Sequence, residues 1–140
     1  RIVSLQNNYS LLSRDYDYGM SEVCQRENVG MMAFSPLGQG ALTGKYSGGK
    51  FGKGTRFAEL EYAVKRFGST EMLARADHYV AIAKRHGIDP AAMAMAWVGS
   101  RPGVATVLTS CSRLSQLKNV LSNAELTLGD DVLAEIEAAT

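Results

Sequence analysis

Phe34-Ser-Pro-Leu-Gly-Gln-Gly-Ala-Leu-Thr-Gly-Lys-Tyr46 is the stretch on which the reading of this chain turns. The apolar run from Val29 to Phe34 has the character of a strand buried in a parallel sheet. It ends on an aromatic, passes through Ser35-Pro36 and enters a loop with glycines at 38, 40 and 44, and Lys45 follows at once. Glycine admits positive φ and lets backbone N–H groups approach an anion closely. Successive N–H groups in such a turn form an anion nest, to which a lysine adds a point charge. Phe34 offers a flat face to a planar ring. The pattern reads as a site for a phosphate-bearing cofactor with a stackable ring. The competing reading is a Gly/Pro-rich surface loop.

Outward from this stretch, Ile2 to Gln6 is a short apolar strand, and Met20, Val23 and Cys24 recur at helical spacing within residues 18–28. Gly38 to about Ser69 reads as a long, partly mobile excursion, a length usually functional or disordered. Leu73, Ala76, Val80 and Ala83 share one helix face, and Gly87 is a stop signal. Asp89-Pro90 is an N-cap followed by proline at the first helical position, opening a helix with Trp97 in its core. Val104 to Thr109 is a third strand. Ser112 is placed to cap a helix of Leu114, Leu117 and Leu121. A last helix opens at Asp130-Asp131 and buries Leu133 and Ile136. This order argues for an α/β fold with a parallel sheet.

Several stretches carry a resemblance. Ser35 to Tyr46 resembles the loop after the seventh barrel strand of aldo-keto reductases, in the Tas-like and potassium-channel β-subunit-like branch. Ser4-Leu-Gln-Asn-Asn-Tyr-Ser-Leu-Leu-Ser-Arg14 is similar to that family's sixth strand and the turn after it. Gly54-Thr-Arg-Phe57 resembles its phosphate-contacting arginine segment, and Ala83 to Trp97 its helix pair. Ser112-Arg-Leu-Ser-Gln-Leu-Lys118 falls where the family grips the 2′-phosphate and adenine. The resemblance implies one partial domain over residues 1–140, the C-terminal part of a (β/α)₈ TIM barrel carrying the cofactor-binding half.

The same resemblance assigns roles within an NADP(H) site. Gln6, at a strand end, would bond the nicotinamide carboxamide; Phe34 would stack on the ring, where the family usually has Tyr or Trp. Ser35, Pro36, Leu37, Gly38, Gln39 and Gly40 would wrap the pyrophosphate, with Lys45 and Arg56 as cations. Arg56 has a second reading, a solvated loop arginine. Ser112 would bond the 2′-phosphate at a helix start, a role compatible with a plain cap. Gln116 would reach the adenine ribose or its phosphate. Ser110 stands where the family has glycine, placing Gln116 requires one extra residue, and Asn119-Val120 replaces Glu-Asn. Arg113 is available to the 2′-phosphate. These departures leave the choice between NADP and NAD open.

The family reduces carbonyls to alcohols with a tyrosine, lysine, histidine and aspartate, all preceding the matched region. No residue of this chain inherits a catalytic role by position, and none has metal-ligand spacing. The expectation is an oxidoreductase portion inactive alone, its carbonyl substrate met only with a missing N-terminal half. The alternatives are a half-barrel interaction or homo-oligomerisation module and a nucleotide-binding sensor.

Composition sets further bounds. With 140 residues, 46% of them hydrophobic, the chain supports one core. It is too short for a whole barrel of about 250 residues, and its start at Arg1 reads as a cut inside a larger domain. Basic and acidic residues number 15 and 14, so nothing points to nucleic acid or an anionic membrane. No stretch approaches the ~20 apolar residues of a membrane span. Cys24 and Cys111 show no C-x-x-C spacing; a reduced pair in the cytoplasm is the expectation, with a disulfide between them the alternative. Cys24 and Trp97 read as core, and His78 and His86 as solvated helix residues.

Overall fold

The computed structural model describes residues 1–139. Three short strands, β1 (Ser4–Asn8), β2 (Gly30–Phe34) and β3 (Val104–Val107), form one parallel sheet in the order β1-β2-β3. Helix α1 (Met20–Arg26) connects β1 to β2. Between β2 and β3 come 3₁₀ turns and helices α2 (Arg56–Glu59), α3 (Glu61–Phe67), α4 (Thr70–Arg85) and α5 (Pro90–Gly99). Helices α6 (Leu114–Ser122) and α7 (Asp130–Ala138) follow β3. This is a mixed α/β arrangement of three parallel strands with helices, consistent with a partial (β/α) barrel of the expected family.

Side chains alternate across a strand, and here the two faces fare differently. Met31 and Ala33 are fully buried beneath the helices, whereas Met32 and Phe34 on the opposite face are only half-buried. Register carries this alternation across the sheet. Gln6 lies opposite Met32, which lies opposite Thr106; Asn8 lies opposite Phe34. Gly30 is fixed by closeness to β3, since a Cβ there would stand 2.9 Å from the Ala105 Cβ.

The core lies between the sheet and the helices. Tyr9 packs at 5.4 Å against both Tyr16 and Trp97. The Arg14 and Arg101 guanidiniums lie 5.0 and 5.1 Å from the Trp97 ring centre, and Glu137 of α7 pairs with both. One carboxylate therefore joins the turn after β1, the end of α5 and the last helix.

Helix signals placed by local chemistry hold well. Ser69 and Asp89 cap α4 and α5 by accepting from the Met72 and Ala92 N–H groups, and Pro90 occupies the first turn of α5. Leu73, Ala76, Val80 and Ala83 are buried along α4, and Gly87 ends that segment at φ +67°. Both cysteines are free, and Cys24 is buried. Helix α7 starts at Asp130, burying Val132 and Ile136, while Leu133 is half-buried.

Other expectations need correction. The first strand is Ser4–Asn8, so Gln6 stands mid-strand rather than at its end. The third strand stops at Val107, two residues before Thr109. The Gly38–Ser69 excursion is long, as expected, with residues 47–50 and 52–54 exposed, but it carries 3₁₀ turns, α2, α3 and an aromatic cluster of its own. Tyr46 and Phe57 stack at 4.0 Å with Phe51 against both rings, and the Phe57 N–H donates to the Tyr46 hydroxyl at 3.3 Å. Its aromatics are spaced without a helical or strand period, so they did not read as core. Ser112 is not the cap of α6. Arg113 holds that position, and Ser112 lies one residue before it. His78 is exposed as expected, but His86 is half-buried, with Nε2 2.7 Å from Glu135 and Nδ1 3.5 Å from Asp131.

Candidate dinucleotide site

Strand register places Gln6 and Phe34 on the face of the sheet turned away from the helices, on adjacent strands. Phe34 is two residues beyond the partner of Gln6, which makes them diagonal neighbours. Asn8, passed over in the sequence, completes this corner. It is 5% exposed, its Nδ2 donates to the Ser13 Oγ, and its Oδ1 is buried without a partner among the described residues. A polar residue closing an otherwise regular strand was the available signal.

Beyond Phe34 the chain takes three positive-φ residues in a row. Gly38, Gln39 and Gly40 have φ of +54°, +57° and +99°, and Ser35 has +56°. For Ser35 and Gln39 this conformation is uncommon, and side-chain bonding accompanies it. Gln39 Nε2 donates to Ser35 Oγ at 2.8 Å. Gln39 Oε1 accepts from Arg56 Nη1 at 2.9 Å, and Arg56 Nη2 reaches Ser110 Oγ at 3.4 Å. Four residues from three segments thus form one polar chain across the ends of β2 and β3.

Pro36, Gly38 and Gly40 are buried, and Leu37 is half-buried against the core. Gly38 rests on the side chains of Leu12 and Phe67, which a Cβ there would meet at 3.0 and 3.7 Å. Lys45 folds back over Gly40, where a Cβ would lie 2.6 Å from its Cε and Nζ. Its ammonium sits 5.0 Å from the Tyr46 ring centre. Both cations therefore stand at the glycine loop.

The last loop is arranged differently. Gln116 Oε1 accepts from the Ser112 N–H at 3.0 Å, the Arg113 N–H at 3.2 Å and the Ser112 hydroxyl at 3.3 Å. The carboxamide thus caps its own helix and does not extend toward the loop after β2. Asn119 Nδ2 donates to Asp89 Oδ1 at 3.0 Å, the same oxygen that caps α5. The geometry gathers Ser35, Gln39, Gly40, Lys45, Arg56 and Ser110 at one loop, with Gln6 and Phe34 on the adjoining face. Ser112, Gln116 and Asn119 are instead engaged by helix ends.

The fit to a dinucleotide is good where it concerns phosphates and a ring. A left-handed glycine turn flanked by a lysine and an arginine suits a diphosphate. A half-buried aromatic beside an amide and an unpartnered carbonyl suits a flat ring with a carboxamide. Among the described residues no group of His, Cys, Asp and Glu side chains is placed to hold a metal ion. No helix in them is long and apolar enough to cross a membrane.

Comparison with known proteins fixes the family. The Aldo/keto reductase family profile matches residues 1–140. The chain belongs to the aldo/keto reductase family. Protein tas of Escherichia coli (strain K12) is 46% identical over 138 residues, covering 99% of this chain and 40% of that protein. A probable voltage-gated potassium channel subunit beta of Arabidopsis thaliana is 35% identical over 92 residues, 64% of this chain and 28% of that one. An L-glyceraldehyde 3-phosphate reductase of Escherichia coli O157:H7 is 34% identical over 139 residues, 94% of this chain and 40% of the reductase. The chain thus spans about 40% of the length of its full-coverage aldo/keto reductase relatives.

Proposed function

We propose that this chain is the cofactor-binding portion of an NADP(H)-dependent oxidoreductase that reduces a carbonyl compound to an alcohol. The observation that carries the reading is the corner where Gln6 and Phe34 share one open face of the sheet beside the Ser35–Gln39–Arg56–Ser110 chain. Gln6 and Asn8 would hold the carboxamide and orient the ring, and Phe34 would support one ring face. Lys45, Arg56 and the glycine turn would neutralise the diphosphate. When bound, the nicotinamide supplies the hydride, and the protein orients and polarises.

On the strand face that bears Gln6 and Phe34, the remaining residues include Ser4, Asn8, Gly30, Met32 and Thr106. None is an acid–base group with a pKa near neutrality. A carbonyl reduced there would lack a proton donor from these strands, which supports a chain that binds cofactor without turning over substrate. The engagement of Gln116 and Asn119 by helix ends leaves Arg113 as the side chain for a 2′-phosphate.

The test is calorimetric titration of the full chain with NADPH and NADH, beside the Phe34→Ala and Gln6→Ala variants. Saturable binding weakened in both variants, with no aldehyde-dependent loss of NADPH absorbance, is the expected result. A folded chain that binds neither nucleotide overturns the reading.

A second reading has its own observation. Leu114, Leu117 and Leu121 of α6 are 67%, 43% and 65% exposed and share one helix face. Strands β1 and β3 are both edges of the sheet. An interaction module, binding a second copy or a partner polypeptide, would cover these surfaces. Light scattering that shows an oligomer without nucleotide, dispersed by Leu117→Glu, supports the second-copy form of this reading, and a monomer removes that form.

A further inference from the structure

A second concave site lies behind the glycine loop. A cleft of about 390 Å³ opens between the turn after β1 and the corner joining α3 to α4. Its apolar floor includes Leu12 and Phe67, 3% and 1% exposed, and its walls carry Ser13, Arg14, Arg66 and Arg75. Asp15 is the one acid in the lining. The volume falls within the range of small-ligand pockets.

The three arginines are not equivalent. Arg14 is held by Asp17 and Glu137 and lies against Trp97, so its charge is largely spoken for. Arg66 lies over the Phe67 ring at 5.4 Å and makes no ion pair among the described residues. Arg75 is half-buried in the middle of α4 and has neither an ion-pair nor a hydrogen-bond partner among them. Glu71 sits one turn earlier at the favourable i, i+4 spacing, yet the two do not pair. The Arg75 stem is partly covered while its guanidinium nitrogens remain open to the cleft, so an incoming anion meets a charge that no carboxylate among the described residues already holds. Its planar fork is suited to an oxyanion.

We propose that this cleft binds a small organic oxyanion, a phosphate monoester or carboxylate on a short apolar body. The anionic end would meet Arg75 and Arg66, and the body would lie on Leu12 and Phe67. Those two side chains also buttress Gly38, so the cleft and the glycine loop share a wall.

The inference stands apart from the dinucleotide reading, and its test separates the two. The full chain would be titrated with phenyl phosphate, benzoate, inorganic phosphate and phenol, with binding followed by calorimetry and amide chemical shifts. We expect saturable one-to-one binding of phenyl phosphate or benzoate, weakened by salt, with phenol at least tenfold weaker. Whichever of the two anions binds more tightly identifies the headgroup class. Arg75→Gln should lower affinity at least tenfold and Arg66→Gln severalfold, with circular dichroism unchanged. Arg56→Met should leave this binding intact. The proposal is overturned if no anion saturates or if phenol binds equally well. Affinity that survives the Arg66→Gln/Arg75→Gln double change, or is lost with Arg56→Met, overturns it too.

Discussion

Arg56 and Gln39 are joined by a direct hydrogen bond although they lie seventeen positions apart, and the bond ties α2 to the turn after β2. Arg56 is exposed, so its charge is available to a ligand while two N–H groups of the fork, to Gln39 and to Ser110, fix the side chain. Arg56→Met should therefore weaken dinucleotide binding by a factor of ten or more. Hydrogen bonds to charged groups contribute about 1.5–3 kcal/mol. Thermal unfolding should move little, since exposed substitutions of this kind stay within about 0.5 kcal/mol. Calorimetry and a melting curve on the same sample check both halves.

Gly40 is held at φ +99°, with the Lys45 side chain against it. An alanine there meets the flexible end of Lys45 and makes ordinary van der Waals contact with the Tyr46 ring, so the steric cost is small. The backbone conformation is the larger cost, about 1–2 kcal/mol for a residue with a Cβ. Gly40→Ala should lower the urea midpoint accordingly and displace Lys45, reducing nucleotide affinity as well.

Phe57 is 4% exposed and stacked on Tyr46. Phe57→Ala should cost about 3–5 kcal/mol, which is a large share of the stability of a small domain. Tyr46→Phe is the milder change. It leaves the Phe57 N–H without its acceptor, a loss of about 1–3 kcal/mol if no water replaces it. Equilibrium unfolding of the two variants should rank them in that order.

Acid should loosen the contact between α4 and α7. The Arg85 guanidinium first, and His86 second, hold the Glu135 carboxyl below its ordinary value of 4.5. A depressed carboxylate stabilises the fold above its unfolded pKa, and that contribution is lost as pH falls through the folded one. The urea midpoint should fall between pH 5 and pH 3 by more in the parent chain than in Glu135→Gln.

At the alkaline end the sign reverses. Burial first, and the neighbouring Cys24 thiol after it, push the Tyr16 hydroxyl up to about 12. The unfolded chain releases this proton near its ordinary value of 10 while the folded chain keeps it. Stability should fall as pH rises past that point. The hydroxyl is buried beside the Cys24 thiol and has no hydrogen-bond partner of ordinary geometry among the described residues. Tyr16→Phe should therefore cost little at neutral pH and flatten the alkaline limb, read by phenolate absorbance.

How far the sequence could be read depended on whether the deciding force was local. Asp89-Pro90, Gly87 and the α4 stripe were legible because caps and helix periodicity act within a few residues. The Phe34–Lys45 loop was legible because left-handed turns demand glycine. The partners of Gln116 and Asn119 were not, since either side chain serves a ligand or a helix end equally well on composition. Arg113 in place of Ser112 as the cap of α6 is a shift of one residue, the kind of boundary that only the full helix settles. The anchoring of the segment after Gly38 rests on aromatic stacking between residues eleven apart, Tyr46 and Phe57. Neither the spacing nor the residues mark that contact in advance.

The Glu137 carboxylate, shared by two arginines and the Trp97 indole, has a consequence for how the protein is made. Local bonds among Ser10, Ser13, Arg14 and Asp17 close the turn after β1 early, but the Arg14 and Trp97 contacts to Glu137 form only once residue 137 has emerged from the ribosome. The last tie between the two ends of this stretch is thus made by a helix synthesised more than a hundred residues after the strand it braces.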